Sequence, residues 1–297
     1  MELLQLRYFV HLAHTSHLTK TAEFYHVTPS AVSSSINRLE AELNIKLFDR
    51  IGRNIKLNYA GNVLLPYLED ALNSIANGTK EIQDLQSKTD ATIVLGATSP
   101  QLWDEGIAGF RKLYPNYRVR QLAFDSGLPG SRAASDTFDF IIASPSALQD
   151  SSWTYQILFE DSIYLVVPST HRLANRNSIH LIEAKDEWFI NSLSDTSFRK
   201  YCDELCRNAG FEPKSQIECD YSLRPRLIKN ENMVCLVTGH GIHSGLFTDV
   251  SFLKVLDPGS TRLQALFWKK SKYMTKSCKA FQEFMFYYYR NLFHYHV

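Results

Sequence analysis

Residues 18–43 read LTKTAEFYHVTPSAVSSSINRLEAEL, and this stretch decides the fold of the first part of the chain. Leu18, Ala22 and Tyr25 recur at three- and four-residue steps, which places them on one face of a short helix. Thr28-Pro29 follows as an N-cap residue with proline at the first helical position, where a missing N–H leaves no bond unmade. Val32, Ile36, Leu39 and Leu43 then form a second apolar stripe. About four residues separate the two predicted helices, which is helix-turn-helix spacing. With the second stripe turned inward, Ser30, Ser33, Ser34 and Asn37 fall at i, i+3, i+4 and i+7 on the other side. Small hydrogen-bonding side chains let a helix sit deep in a major groove. Serine reaches phosphates or base edges there, and asparagine pairs bidentately with adenine. The same residues also suit a merely solvated helix, so the flanking sequence has to decide.

Upstream, Leu3, Leu6, Val10 and Ala13 mark a first helix. Downstream, Leu47-Phe48, Gly52 and residues 55–57 predict two short strands around a turn. Residues 44–57 hold Lys46, Arg50, Arg53 and Lys56 against one acid, Asp49. A basic hairpin beside a reading helix is a wing that can grip phosphates or enter the minor groove. Residues 1–90 as a whole hold nine Lys/Arg and ten Asp/Glu, so the cationic surface is concentrated in that wing. In residues 60–88, Leu65, Leu68, Leu72, Ile75 and Ile82 alternate three- and four-residue steps, with Thr79 falling in the seam between the last two. This predicts a long helix with an apolar seam suited to pairing with a copy of itself, weakened near Gly78.

From residue 91 the pattern changes. Short β-rich runs (92–95, 117–124, 138–143, 162–167, 188–191, 233–238 and 263–268) alternate with helical stretches at 107–113, 198–209 and 278–289. The alternation predicts an α/β region with largely parallel sheets, too long for one small sheet and therefore two-lobed. The whole chain has 297 residues, 44% apolar and 21% charged, with a net charge of +1. Those values exclude a disordered chain, a coiled-coil fibre and a small disulfide scaffold. No apolar run reaches the roughly 18 residues of a membrane span. The N-terminus has no charged region before its apolar residues and does not read as a signal peptide. Five cysteines without a CxxC pair predict free thiols in a reducing cytoplasm.

The run from Leu18 through Glu23 and Val27 to Ser33, then Ile36 to Glu40, Leu43, Leu47 to Arg50 and Ala60-Gly61, resembles the LysR-type transcriptional regulators. Later segments agree in order: residues 110–115, 158–161, 165–168, 171–174, 209–213 and 239–242. The resemblance implies a winged helix-turn-helix over residues 1–58, a linker and dimerisation helix over 59–90, and a two-lobed effector domain over 91–297 like a periplasmic binding protein. Lobe one is expected at 91–161 and 266–291, lobe two at 162–265. It further implies a cytoplasmic bacterial protein that binds interrupted palindromes in double-stranded DNA as a homodimer or tetramer. A small-molecule effector and RNA polymerase are the other partners it implies; no membrane, cofactor, metal or catalytic residue is expected.

DNA contacts are expected from Thr28, Ser30, Ser33, Ser34, Asn37, Arg38, Arg50 and Arg53, with Arg38 able instead to pair with Glu42 at i+4. Many members carry Arg or Lys where this chain has Ser34, and Gln where it has Pro29. Affinity is therefore expected to lean on the wing and backbone, with an altered base preference. A second reading follows from the same loss: a ligand-binding module whose DNA-binding domain is weakened or vestigial.

In such a two-lobed domain the ligand sits between the lobes, held by loop hydroxyls and helix N-termini. The matching positions are Thr98, Ser99 and Gln101, then Ser144 and Ser146, the segment 191–198 with Ser192 and Thr196, and Thr238. The segment between Gly96 and Phe110 is short for the family, and residues 125–131 break up the next helix, so the ligand class does not carry over. Cys202 and Cys206 sit at i, i+4 in a region where peroxide-sensing members place reactive cysteines. One of the expected pair falls instead on Ser197, which favours a structural thiol. His11, His14 and His17 lack completing ligands for a metal and are expected to pack or face solvent.

Overall fold

A computed structural model describes residues 1–51, 54–86, 92–98, 103–124, 137–193, 196–243 and 245–293. The chain divides into two units, residues 1–86 with 271–273, and the remainder.

The first unit opens with α1 (Leu3–Thr15), α2 (Leu18–Phe24) and α3 (Pro29–Leu43). The Thr28 hydroxyl caps α3 by accepting the Ala31 N–H at 3.2 Å, and Pro29 occupies the first helical position. Asn44, in the left-handed region at φ 52°, ends the helix. Strands β1 (Phe48–Ile51) and β2 (Asn54–Leu57) pair antiparallel, with Asp49 opposite Lys56 and Arg50 opposite Ile55. The long helix α4 (Tyr59–Gln86) follows. Phe9, Leu12, Val32, Leu39 and Leu47 are fully buried in the shared core, and Leu68 of α4 joins them. Gly61 makes the docking of α4 feasible, because a Cβ there would lie 2.2 Å from the Leu47 carbonyl oxygen. Leu43, expected inside, is instead exposed at the frayed end of its stripe.

The second unit has two lobes. Lobe one holds β3 (Thr92–Ala97), α5 (Asp104–Leu113), β4 (Arg118–Ala123) and β5 (Phe140–Ala143). Next, β6 (Trp153–Pro168) runs through both lobes. Lobe two contains β7 (Ser178–Ile179), β8 (Trp188–Asn191), α6 (Ser197–Asn208), β9 (Lys214–Glu218), α7 (Arg224–Glu231), β10 (Cys235–Thr238), α8 (Gly239–His243) and β11 (Val250–Val255). The chain returns to lobe one through β12 (Thr261–Lys269) and ends in α9 (Lys276–Phe293). Trp153 to Ser162 of β6 pairs with β12, and Ile163 to Pro168 pairs with β10 and β11. The hinge therefore lies at Ser162 and Thr261, opposite each other in the register.

The sheets are mixed, which corrects the expectation of largely parallel ones. β3 is parallel to β4 and β5, but β12 is antiparallel to β5 and β6, and β10 and β11 are antiparallel to β6. The topology gives the reason. Strands that end on the cleft run toward the hinge, whereas a strand entering a lobe from the hinge runs away from it. β12 does this in lobe one and β6 in lobe two. Aromatic side chains of α9, including Phe281 and Tyr289, close the core of lobe one with Phe110 and Phe140.

Candidate functional site

The reading helix is two-sided. Val32, Ser35, Ile36, Leu39 and Glu40 are buried, while Ser30, Ser34, Asn37 and Arg38 are exposed and Ser33 is half-buried. Thr28 is exposed but already engaged, capping α3 and bonding the Ser30 hydroxyl at 2.9 Å. Arg38 is not in an ion pair with Glu42. The Glu42 carboxylate accepts from Gln5 Nε2 at 3.4 Å and pairs with the Met1 amino group. Ser33 and Asn37 border a hollow of about 280 Å³ shared with Lys46, Phe48 and Asp49.

Glu40 fastens α3 to the hairpin, a role its place in the sequence does not announce. Its Oε1 accepts the Leu47 N–H at 2.8 Å and the Phe48 N–H at 3.3 Å, and its Oε2 accepts from Lys46 Nζ at 2.7 Å. Lys46 and Lys56 are both exposed, but Lys46 is already paired with Glu40. Arg50 lies in β1, and Arg53 falls outside the described residues. His11 bonds Thr21 and stacks on Phe24, and His14 pairs with Glu69 at 2.7 Å. Among the described residues no group of three or more His, Cys, Asp and Glu could hold a metal ion.

Between the lobes lies a cavity of about 180 Å³. It brings together four of the residues expected there: Thr98, Ser192, Thr196 and Thr238. Ser144 does not line it; it is buried and bonds Ser146 at 3.2 Å. Ser99 and Gln101, and the unusual segment 125–131, fall outside the described residues. Three of the four hydroxyls already have partners. Thr196 caps α6 by accepting the Arg199 N–H at 3.2 Å and donates to the Leu193 carbonyl at 2.9 Å. Thr238 accepts the Gly241 N–H at 3.2 Å, and Ser192 accepts from Arg224.

Phe198, at the end of the expected segment 191–198, also lines the cavity, whereas the expected positions do not include Arg224, Arg262, Gln264, Trp103 and Tyr221. Arg262 and Gln264 had a legible signal. In β12, Leu263 is exposed while Arg262 and Gln264 are buried, an inversion of the usual alternation. Arg262 is opposite Asp161 in the β6–β12 register, at the hinge. Asp161 is 1% exposed, and burial pushes its carboxyl up to about 6 despite bonds from the His240 and Gly239 N–H groups and the Thr238 hydroxyl. Burial likewise holds Arg262 below its ordinary value.

The two units match two models of one family. Residues 3–62 match the bacterial regulatory helix-turn-helix protein of the lysR family, and residues 89–287 match the LysR substrate binding domain. The chain belongs to the LysR family. It is a DNA-binding transcriptional regulator with an effector-binding domain. The transcriptional dual regulator GltC of Bacillus subtilis (strain 168) is 31% identical over 218 residues, 72% of each chain. The uncharacterized HTH-type transcriptional regulator YybE of the same organism is 28% identical over 96% of this chain and 98% of its own.

Solved structures share the fold. A full-length OxyR variant from Pseudomonas aeruginosa superposes with a TM-score of 0.69 at 20% identity, covering 98% of this chain and 95% of that one. Full-length CbnR complexed with its target DNA gives 0.56 at 16% identity, covering 96% and 98%. With a helix-turn-helix match that runs from α1 through the hairpin to the first turn of α4, a vestigial DNA-binding domain is not the favoured reading.

In this LysR-family chain the cysteines are poorly suited to redox sensing. Cys202 and Cys206 are buried in the core of lobe two. Burial pushes the Cys206 thiol up to about 12 and raises Cys202 further. The thiolate is the reactive form, so burial disfavours reaction at both thiols. Among the described residues no helix is long and apolar enough to cross a membrane.

Proposed function

We propose that this regulator binds an interrupted palindromic promoter site as a dimer, with residues 1–58 reading DNA, 59–90 pairing the copies and 91–297 receiving a small-molecule effector between two lobes, the second returning to the first at Thr261 rather than at the expected residue 265. The observation that carries the reading is the two-sided α3, with Ser30, Ser34 and Asn37 in solvent opposite a fully buried Val32 and Leu39. Base edges are read by Ser30, Ser33, Ser34 and Asn37, and phosphates are held by Thr28, Arg38, Arg50 and Arg53. Dimerisation through α4 is supported by Ile75 and Ile82, which are 48% and 58% exposed on its apolar seam. Family resemblance adds a tetramer, RNA polymerase as a further partner and a cytoplasmic location. The regulators among its relatives support a non-catalytic role.

The test is a pull-down of fragmented source genome by the purified chain, sequenced, at two salt concentrations, with Arg53→Ala and Ser33→Ala alongside. One interrupted palindrome is expected, bound at about 10⁻⁸–10⁻¹¹ M at physiological salt. Ser33→Ala removes a hydrogen bond to a base edge and lowers discrimination by about 1–3 kcal/mol, and Arg53→Ala weakens all sequences alike and flattens the salt slope. Equal binding of the enriched site and its scrambled duplex refutes the reading.

A further inference from the structure

Arg224 and Arg262 bring two buried positive charges to the interlobe cavity, 3% and 7% exposed. Neither has a carboxylate within ion-pair distance among the described residues. Nearby Arg199 is the contrast, because it pairs with both Asp203 and Glu218. Arg224 donates to the Ser192 hydroxyl and to the Leu236 carbonyl at 3.4 Å, bonds the Cys219 thiol, and lies 5.5 Å over the Tyr221 ring, all groups without formal charge. Arg262 donates to the Ser197 hydroxyl at 3.0 Å and lies 5.4 Å from both the Phe198 and Tyr201 rings. Both charges act on Cys202, so they share one neighbourhood. Asp161 attracts Arg262 without forming an ion pair, and Asp220 borders the cavity as an exposed carboxylate.

The mismatch extends to hydrogen bonding. The Nε atoms of Arg224 and Arg262 and Nε1 of Trp103 are buried donors with no acceptor. All three side chains line the cavity. A buried charge without a counterion is strongly unfavourable, and a buried donor without an acceptor adds to it. A ligand that supplies acceptor oxygens and negative charge removes both penalties. Guanidinium groups match the planar fork of a carboxylate. The aromatic walls of Trp103, Phe198 and Tyr221 call for carbon as well as charge. The volume, below the roughly 300–1,000 Å³ of pockets for drug-sized ligands, calls for a compact molecule.

We propose that the cleft binds a small organic carboxylate, with its charged end between Arg224 and Arg262 and within reach of Trp103 Nε1. This rests on the effector reading above and names the class of ligand. The discriminating groups are then the two arginines, while the hydroxyls of Ser192, Thr196 and Thr238 shape the site through their own internal bonds.

Thermal unfolding of the full chain at constant ionic strength tests it. The probes are straight-chain dicarboxylates from malonate to adipate, acetate and benzoate, each beside its neutral amide, with sulfate and phosphate as inorganic anions. At least one carboxylate should raise the melting temperature by roughly 5–10 °C at about 100-fold excess over Kd, with no shift from its amide. R224M and R262M should each weaken that carboxylate by about tenfold or more. The unliganded R224M protein should melt no lower than wild type, since it loses an unpaired buried charge. A purely structural arginine gives the opposite result, a lower melting temperature. Amides that bind as well as acids, or inorganic anions that act where no carboxylate does, overturn the carboxylate assignment and leave the effector reading standing. A carboxylate shift that survives both substitutions also overturns it. No shift from any probe overturns both.

Discussion

Glu40→Ala is expected to unclamp the reading helix from the wing. Glu40 is 5% exposed, and its carboxylate accepts the Leu47 and Phe48 N–H groups at 2.8 and 3.3 Å. Alanine leaves two buried backbone donors without an acceptor, each costing about 1–3 kcal/mol. The ion pair to Lys46 adds little, because Lys46 is 71% exposed and such pairs contribute under about 1 kcal/mol. The central expectation is a loss of about 4 kcal/mol, a large share of the roughly 5–15 kcal/mol that holds a domain folded. All four tryptophans follow residue 100, so intrinsic fluorescence is blind to this region. Amide hydrogen exchange over residues 40–57 is the suitable assay. At about 1.4 kcal/mol per decade, exchange at Leu47 and Phe48 should accelerate nearly 1,000-fold in Glu40→Ala. Glu40→Gln keeps one carbonyl acceptor and should fall between. Lys46→Ala should change exchange by less than about tenfold. If Glu40→Ala exchanges like wild type, or no faster than Lys46→Ala, the clamp does not hold the wing.

Gly61→Ala should destabilise the first unit by about 3 kcal/mol and abolish DNA binding, since its Cβ would meet the Leu47 carbonyl oxygen at 2.2 Å; urea titration followed by circular dichroism measures it. The double change Ile75→Glu with Ile82→Glu should yield monomers by light scattering while the melting temperature of the effector domain stays unchanged. Asp161, whose carboxyl stands at about 6 against an ordinary 3.8, holds its proton more tightly folded than unfolded. Its stabilising contribution is complete below about pH 4 and is lost as pH rises through about 6. Asp161→Asn should therefore match wild type at low pH and exceed its stability by about 3 kcal/mol above pH 6, read by denaturant titration across that range.

The DNA-reading unit was legible because its signals are local. Thr28-Pro29 caps a helix wherever it stands, and the stripe of Val32, Ile36 and Leu39 needs only the helical repeat to fall on one face. The failures there were tertiary. Leu43 continues the stripe in sequence but passes beyond the core, and Glu40 looks like one more surface charge until the return of the chain brings Leu47 and Phe48 against it. In the effector domain the sequence pattern marks neither the first half of β6 nor β9, β11 and the helix α7. β9 alternates exposed and half-buried residues but holds a single apolar one, Ile217, and β11 has no clean alternation. In β6 the reason is plain: the strand changes sheets midway, so its buried side changes partner at the hinge.

The cleft was the least legible part for a related reason. Thr98, Ser192, Thr196 and Thr238 were found because loop hydroxyls after strands are ordinary features of this architecture. Arg224 and Arg262 were missed because charge in a sequence reads as surface until burial is known. Their significance lies in the combination of a guanidinium less than one-tenth exposed and an Nε with no acceptor. Stability alone gives no reason to keep such a group, since an apolar side chain of similar volume would pack there without the desolvation penalty. The inverted alternation of Arg262, Leu263 and Gln264 in β12 is the one trace that the sequence carries. A strand that buries arginine and glutamine while exposing leucine is arranged for a site, not for its own core.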